Sequence, residues 1–123
     1  MNSKVFMIVR IVLGLFILVF GLNKFLHFIP FGEMSAEAGA YFGALTSAKV
    51  LTLVAIVEIV AGLAIIFNKY GALLALILMS VSVNAILFHL TLDPAGIGGA
   101  AALFILNILA LIGYKDKYKD LLS

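Results

Sequence analysis

Long apolar runs broken by short polar clusters set the pattern of the chain. The first run predicts a helix over residues 5–28, stopped by Pro30 and Gly32. The second predicts a helix over 50–67, with Thr46 or Ser47 available as a cap one turn earlier. The third covers 72–92 and the fourth 97–113. A bilayer crossing needs roughly 20 apolar residues, and each run is near that length. Asn68-Lys69-Tyr70-Gly71 is a short turn, so the second and third helices should be antiparallel neighbours. Asp93-Pro94-Ala95-Gly96 is a stop-and-turn signal. Residues 31–49 form a connector, whose centre, 36–45, predicts a short interfacial helix with Ser35 as N-cap. Residues 114–123 read as a polar, solvated tail. The expected fold class is all-α: a single domain over 1–123, a polytopic membrane four-helix bundle running up-down-up-down.

Composition strengthens the membrane reading. The chain is 65% hydrophobic and 11% charged, where soluble domains carry about a quarter charged residues. Cysteine is absent, which excludes disulfides, thiol redox chemistry and Cys-ligated metal centres. Lys4 and Arg10 precede the first run as in a signal peptide, but the run leads into Asn23 and Lys24 with no small-x-small cleavage pattern. An uncleaved first span is expected. Lys4, Arg10, Lys69, Lys115, Lys117 and Lys119 fall on one side of the predicted spans, while Glu33, Glu37 and Asp93 fall on the other, with Lys49 the exception. By the positive-inside rule both termini should be cytoplasmic. The net charge of +2 therefore reads as orientation in a lipid bilayer, not as nucleic-acid binding.

The polar residues inside the apolar runs carry the candidate chemistry. Glu58 stands in a run otherwise built from aliphatic and small residues, and an intramembrane carboxyl calls for a named partner. At about 1.5 Å per residue, Glu58, Asn84 and Asn107 all lie roughly 12–15 Å below the outer ends of their helices, so one polar layer is expected. Ala55, Ala61 and Gly62 share the Glu58 face, which marks it as a packing face. Arg10, Gly14, Gly21 and Lys24 form a stripe on the first helix. Lys24, flanked by Asn23 and His27, is the favoured cation for Glu58, whereas Arg10 is expected to snorkel to the interface. His89 and Asp93 are one turn apart, so Asp93 can orient the ring. A haem held by His27 and His89, or a metal held with Asp93, is the weaker reading, since no further ligand is evident. Ser80 and Ser82 are expected to bond the preceding turn.

Arg10-Ile11-Val12-Leu13-Gly14 and Gly21-Leu22-Asn23-Lys24-Phe25 resemble the first helix of the DoxX family. Glu58-Ile59-Val60-Ala61-Gly62 resembles its second-helix signature, and Asn84 to Leu90 followed by Leu92-Asp93-Pro94-Ala95-Gly96 is similar to the third helix and turn of one subgroup. The resemblance implies a four-helix protein of the prokaryotic inner (cytoplasmic) membrane, from a family associated with membrane complexes that handle sulfur compounds or oxidative stress. It assigns no catalytic residue; Arg10, Lys24, Glu58, Asn84 and His89 match its polar pattern only.

Three functions remain open from sequence. The first is a quinone- or small-molecule-binding subunit of a membrane oxidoreductase, with an oxidoreductase partner subunit and Lys24, Glu58, Asn84 and His89 as its polar contacts. The second is a non-catalytic scaffold or accessory subunit whose polar layer only fixes packing. The third, a small transporter or proton path, would require a homo-oligomer. No cofactor is evident in the sequence beyond the quinone of the first reading.

Overall fold

The computed structural model describes residues 1–30 and 32–122. Among them the chain forms five α-helices and no strand. These are α1 (Ser3–Leu26), α2 (Ala36–Ser47), α3 (Val50–Ile66), α4 (Gly71–Thr91) and α5 (Ile97–Gly113), with short 3-10 turns at Pro94–Gly96 and Lys115–Tyr118. The four apolar runs become α1, α3, α4 and α5, close to their expected limits.

Capping follows the sequence at the two ends where it is polar. Asn2 Oδ1 accepts from the Val5 amide at 2.8 Å and starts α1. Ser35 Oγ accepts from the Ala38 amide at 3.2 Å and starts α2, which runs to Ser47, two residues beyond its predicted end. Elsewhere the joints rest on left-handed backbone at non-glycine residues: His27 (φ 53°), Lys49 (φ 64°), Asn68 (φ 55°) and Tyr70 (φ 61°).

The long helices close into a ring. α1 packs against α3 and α5, and α4 packs against the same two. The tightest seam is α1 against α3, where small residues meet. A Cβ at Gly62 would lie 2.9 Å from the Gly14 carbonyl oxygen, and one at Gly21 would lie 3.0 Å from Glu58 Cβ. Glycine lets the two backbones touch, as in membrane helix pairs. Leu13, Ile17, Ala61, Ile65, Ala75, Leu78, Leu103 and Ala110 fill the centre of the ring.

α2 and α3 meet at 78° across Ala48 and Lys49. Among the described residues three helices, α1, α4 and α5 with its preceding turn, are long and apolar enough to cross a membrane; the bent α2–α3 pair makes a fourth if counted as one span. Most of the large apolar side chains on the outer faces are exposed, as Leu53, Leu87 and Ile105 show. That is the surface of a protein whose solvent is lipid.

The tail departs from expectation. Tyr114 and Tyr118 are buried and belong to the core cluster. The Tyr114 hydroxyl donates to Asn68 Oδ1 at 2.6 Å, and its ring meets Phe6 edge-on with centroids 4.8 Å apart. The Tyr118 hydroxyl donates to the Ala72 carbonyl at 2.8 Å. The 3-10 turn after α5 turns both rings inward while Lys115, Asp116 and Lys117 stay exposed. The flanking charges make the segment read as solvated, but the two buried tyrosines dock it on the core.

Candidate functional site

Glu58 lies at mid-helix in α3, 3% exposed, between the buried Ala55 and Ala61. Its partner comes from the last turn of α1. Lys24 Nζ donates to Glu58 Oε1 at 2.6 Å, and the two side chains are 14% and 5% exposed. Such a contact is a charge-assisted hydrogen bond, and in a poorly solvated setting each charge depends on the other.

Asn23, next to Lys24, has a different task. Its amide nitrogen donates to the Ile29 carbonyl at 3.0 Å and its oxygen accepts from the Ile29 amide at 2.7 Å. The left-handed His27 caps α1, its amide donating to the Asn23 carbonyl at 2.8 Å. Together they fold the chain back over the end of α1. His27 itself is exposed and does not line the cavity described below.

Glu58, Asn84 and Asn107 do not bond to one another; each is engaged elsewhere. Asn107 is fully buried against α4, where it accepts from the Ser82 hydroxyl at 2.7 Å and donates to the Ala75 carbonyl at 3.1 Å. Asn84 donates to the Ser80 carbonyl of its own helix at 2.8 Å. Ser82 and Asn84 are two residues apart, about 200° around a helix, so they serve opposite faces. Similar depth places these groups at one level without fixing their direction. Ser82 bonds its preceding turn as expected, through the Leu78 carbonyl at 3.3 Å, and adds the shorter contact to Asn107.

Arg10 does not snorkel free. Its guanidinium donates to the carbonyls of Ile65 and Ile66 at 3.0 and 3.3 Å and lies 5.5 Å from the Phe6 ring centroid. It completes the C-terminal end of α3, where carbonyls lack helical partners and favour a cation. Its Nε is buried without a hydrogen-bond partner among the described residues.

His89 and Asp93 form a second polar pair. His89 Nδ1 lies 3.0 Å from the Asp93 carbonyl oxygen and 3.1 Å from Asp93 Oδ2. Neither oxygen has a hydrogen to give, so Nδ1 carries the proton. Gly96 closes over the pair: a Cβ there would come within 2.5 Å of Asp93 Oδ2 and 3.0 Å of His89 Cε1.

These groups share a cavity of about 640 Å³ among α1, α3, α4 and α5. Lys24 and Glu58 line one wall, with Ser80, Asn84 and His89 from α4 on another. Phe16, Phe20, Val54 and Leu103 make the wall mostly apolar. α2 contributes Tyr41, Phe42 and Leu45. The Tyr41 ring stacks on Phe88 at 5.3 Å and 19°, and Phe42 meets Phe88 edge-on at 5.2 Å. The Ser35 hydroxyl also donates to the Leu92 carbonyl at 3.4 Å. Of the sequence candidates, the cavity therefore gathers Asn23, Lys24, Glu58, Asn84 and His89 and leaves out Arg10 and Asn107. Tyr41 and Phe88 escape sequence reading because an aromatic beside an apolar run carries no signal of what it covers. No group of three or more metal-ligating His, Asp or Glu side chains occurs among the described residues.

The DoxX family model matches residues 5–91. The chain belongs to the DoxX family. The matched stretch carries α1 to α4, and with them Lys24, Glu58, Asn84 and His89; Asp93, Gly96 and Asn107 follow it. Membership and the apolar helices together make this a membrane protein. No curated protein and no solved structure matches the chain.

Proposed function

We propose that this DoxX-family protein binds a quinone-class small molecule in the cavity among α1, α3, α4 and α5, as a subunit of an inner-membrane oxidoreductase whose electron-carrying partner is another chain. The observation that carries the reading is the cavity itself: about 640 Å³, largely apolar and aromatic, with polar pairs Lys24–Glu58 and His89–Asp93 on different elements. Ligand pockets of this kind combine an apolar wall with a few placed polar groups. A flat ring with a polar atom at each end suits such walls. In this reading the chain crosses the membrane four times with both termini cytoplasmic, α3 completing its crossing through the bend into α2, in keeping with the placement of the lysines. The test is quinone copurification from membranes. Wild type should retain quinone and Glu58→Gln should lose most of it; equal retention removes Glu58 from the site.

One observation favours a second reading, a non-catalytic scaffold. Lys24 and Glu58 satisfy each other, and Ser82–Asn107 likewise joins α4 to α5 without facing the cavity. A scaffold predicts that no quinone is retained by wild type and that complex assembly fails on repacking of the α1–α3 seam.

A further inference from the structure

α4 turns one side away from the bundle in a regular way. Leu73, Ile77, Ser80, Asn84, Leu87 and Thr91 are all exposed, spaced alternately four and three apart. Ala75, Leu78 and Ser82 on the opposite side are buried. This spacing keeps a single seam along a helix, and it is the period at which two helices wind face to face. An exposed apolar face needs no partner in lipid. The α4 seam differs at Ser80 and Asn84, which lie inside the span; Asn84 is roughly two turns from its end. Among the described residues α1, α3 and α5 expose no amide or charged side chain between their end turns.

Asn84 gives one amide hydrogen to the Ser80 carbonyl. Its second amide hydrogen and its Oδ1 have no partner among the described residues. Polar side chains within spans bond across to a neighbouring helix. A carboxamide is its own electrostatic complement, with a partly positive N–H beside a partly negative oxygen. An identical group across a twofold axis meets each with its opposite. Chains inserted the same way round lie parallel, so each seam residue of α4 faces its own copy. No charged residue lies on the seam to repel itself there. Ser80, one turn away, is small enough to let the helices approach. A single Asn in an otherwise apolar seam also fixes register.

We infer that this seam is the interface of a homodimer, in which two copies of α4 pack in parallel and Asn84 bonds to Asn84 across the axis. Ser80 and Asn84 also line the cavity while exposed, so they form its rim, and the second copy stands beside that rim. The inference goes beyond the ligand reading and does not depend on it, because the dimer is read without a ligand.

The chain has no cysteine, so single cysteines report contacts cleanly. Full chains with Leu73→Cys or Leu87→Cys, oxidised in native membranes, should form disulfide-linked dimers, which requires paired Cα atoms within about 7 Å. Val12→Cys on α1, Ile56→Cys on α3 and Ile105→Cys on α5, also exposed, should form few. Adding Asn84→Leu to Leu87→Cys should slow dimer formation at least about threefold, and Asn84→Gln should restore most of the rate. The cysteine scan leaves Asn84 in place, so it decides the seam whatever Asn84→Leu does to folding. Absence of dimers at both seam positions overturns the inference, as does equal linkage at the control positions. A linked band at a mass other than twice the chain assigns the seam to a different protein and overturns it too. A rate untouched by Asn84→Leu removes the Asn84 pair.

Discussion

Lys24 Nζ and Glu58 Oε1 meet at 2.6 Å where Gly21 brings the α1 backbone against Glu58 Cβ, so the ion pair and a close helix contact occupy one place. The bond is short because the glycine permits the approach. Charge and packing are therefore coupled at this seam.

Removal of one partner should cost more than removal of both. Lys24→Met leaves a buried carboxylate unpaired and should destabilise the fold by about 3–5 kcal/mol. Lys24→Met combined with Glu58→Leu should recover most of that loss. Unfolding midpoints in detergent for the two singles and the double check this; a strictly additive double would show that the pair does not act as a unit.

Gly62→Ala drives a methyl to within 2.9 Å of the Gly14 carbonyl oxygen and 3.2 Å of Leu18 Cβ. Overpacking of this kind should cost about 1–3 kcal/mol. Gly98→Ala is the control, since a Cβ added there on α5 would meet nothing within 4 Å. It should be neutral or stabilising by up to about 1 kcal/mol. Matched thermal scans distinguish the two sites.

The Ser82–Asn107 bond should show coupling across α4 and α5. In a double-mutant cycle with Ser82→Ala and Asn107→Leu, the interaction energy should lie at about 0.6–2 kcal/mol, the range of hydrogen bonds between membrane helices. A value of zero would assign the α4–α5 contact to apolar packing alone.

Burial, with the neighbouring Tyr114 adding to it, pushes the Tyr118 phenol up from 10.0 to about 12. The fold thus holds the neutral phenol more favourably than the unfolded chain does. That stability is fully present below pH 10 and is lost as pH rises toward about 12. Tyr118→Phe should flatten stability across that window while forfeiting the bond to the Ala72 carbonyl, about 1 kcal/mol, at neutral pH. Stability against pH for both proteins provides the comparison.

The helices are legible in the sequence because each apolar run ends in residues that cannot continue it, such as Pro30 and Asp93-Pro94. Lys24 and Glu58 are legible as partners because small residues mark both faces as packing faces. Asn107 is not legible as a partner of Ser82, since two polar groups at one depth can face different neighbours, and the ring order that decides this is tertiary. Arg10 misleads for a related reason: the carbonyl ends it binds belong to α3, 55 residues further on. The docked tail depends on two tyrosines whose local surroundings are charged.

The Arg10 contact has a consequence for how the chain is made. On its own α3 has 17 residues, an Ile66 carbonyl that Arg10 alone engages among the described residues, and a carboxyl at its middle. Both defects are answered from α1, by Arg10 at one end and Lys24 further along. α1 leaves the ribosome before α3. A chain whose α1 is exchanged for a plain apolar span should therefore insert α3 poorly even though every residue of α3 is intact.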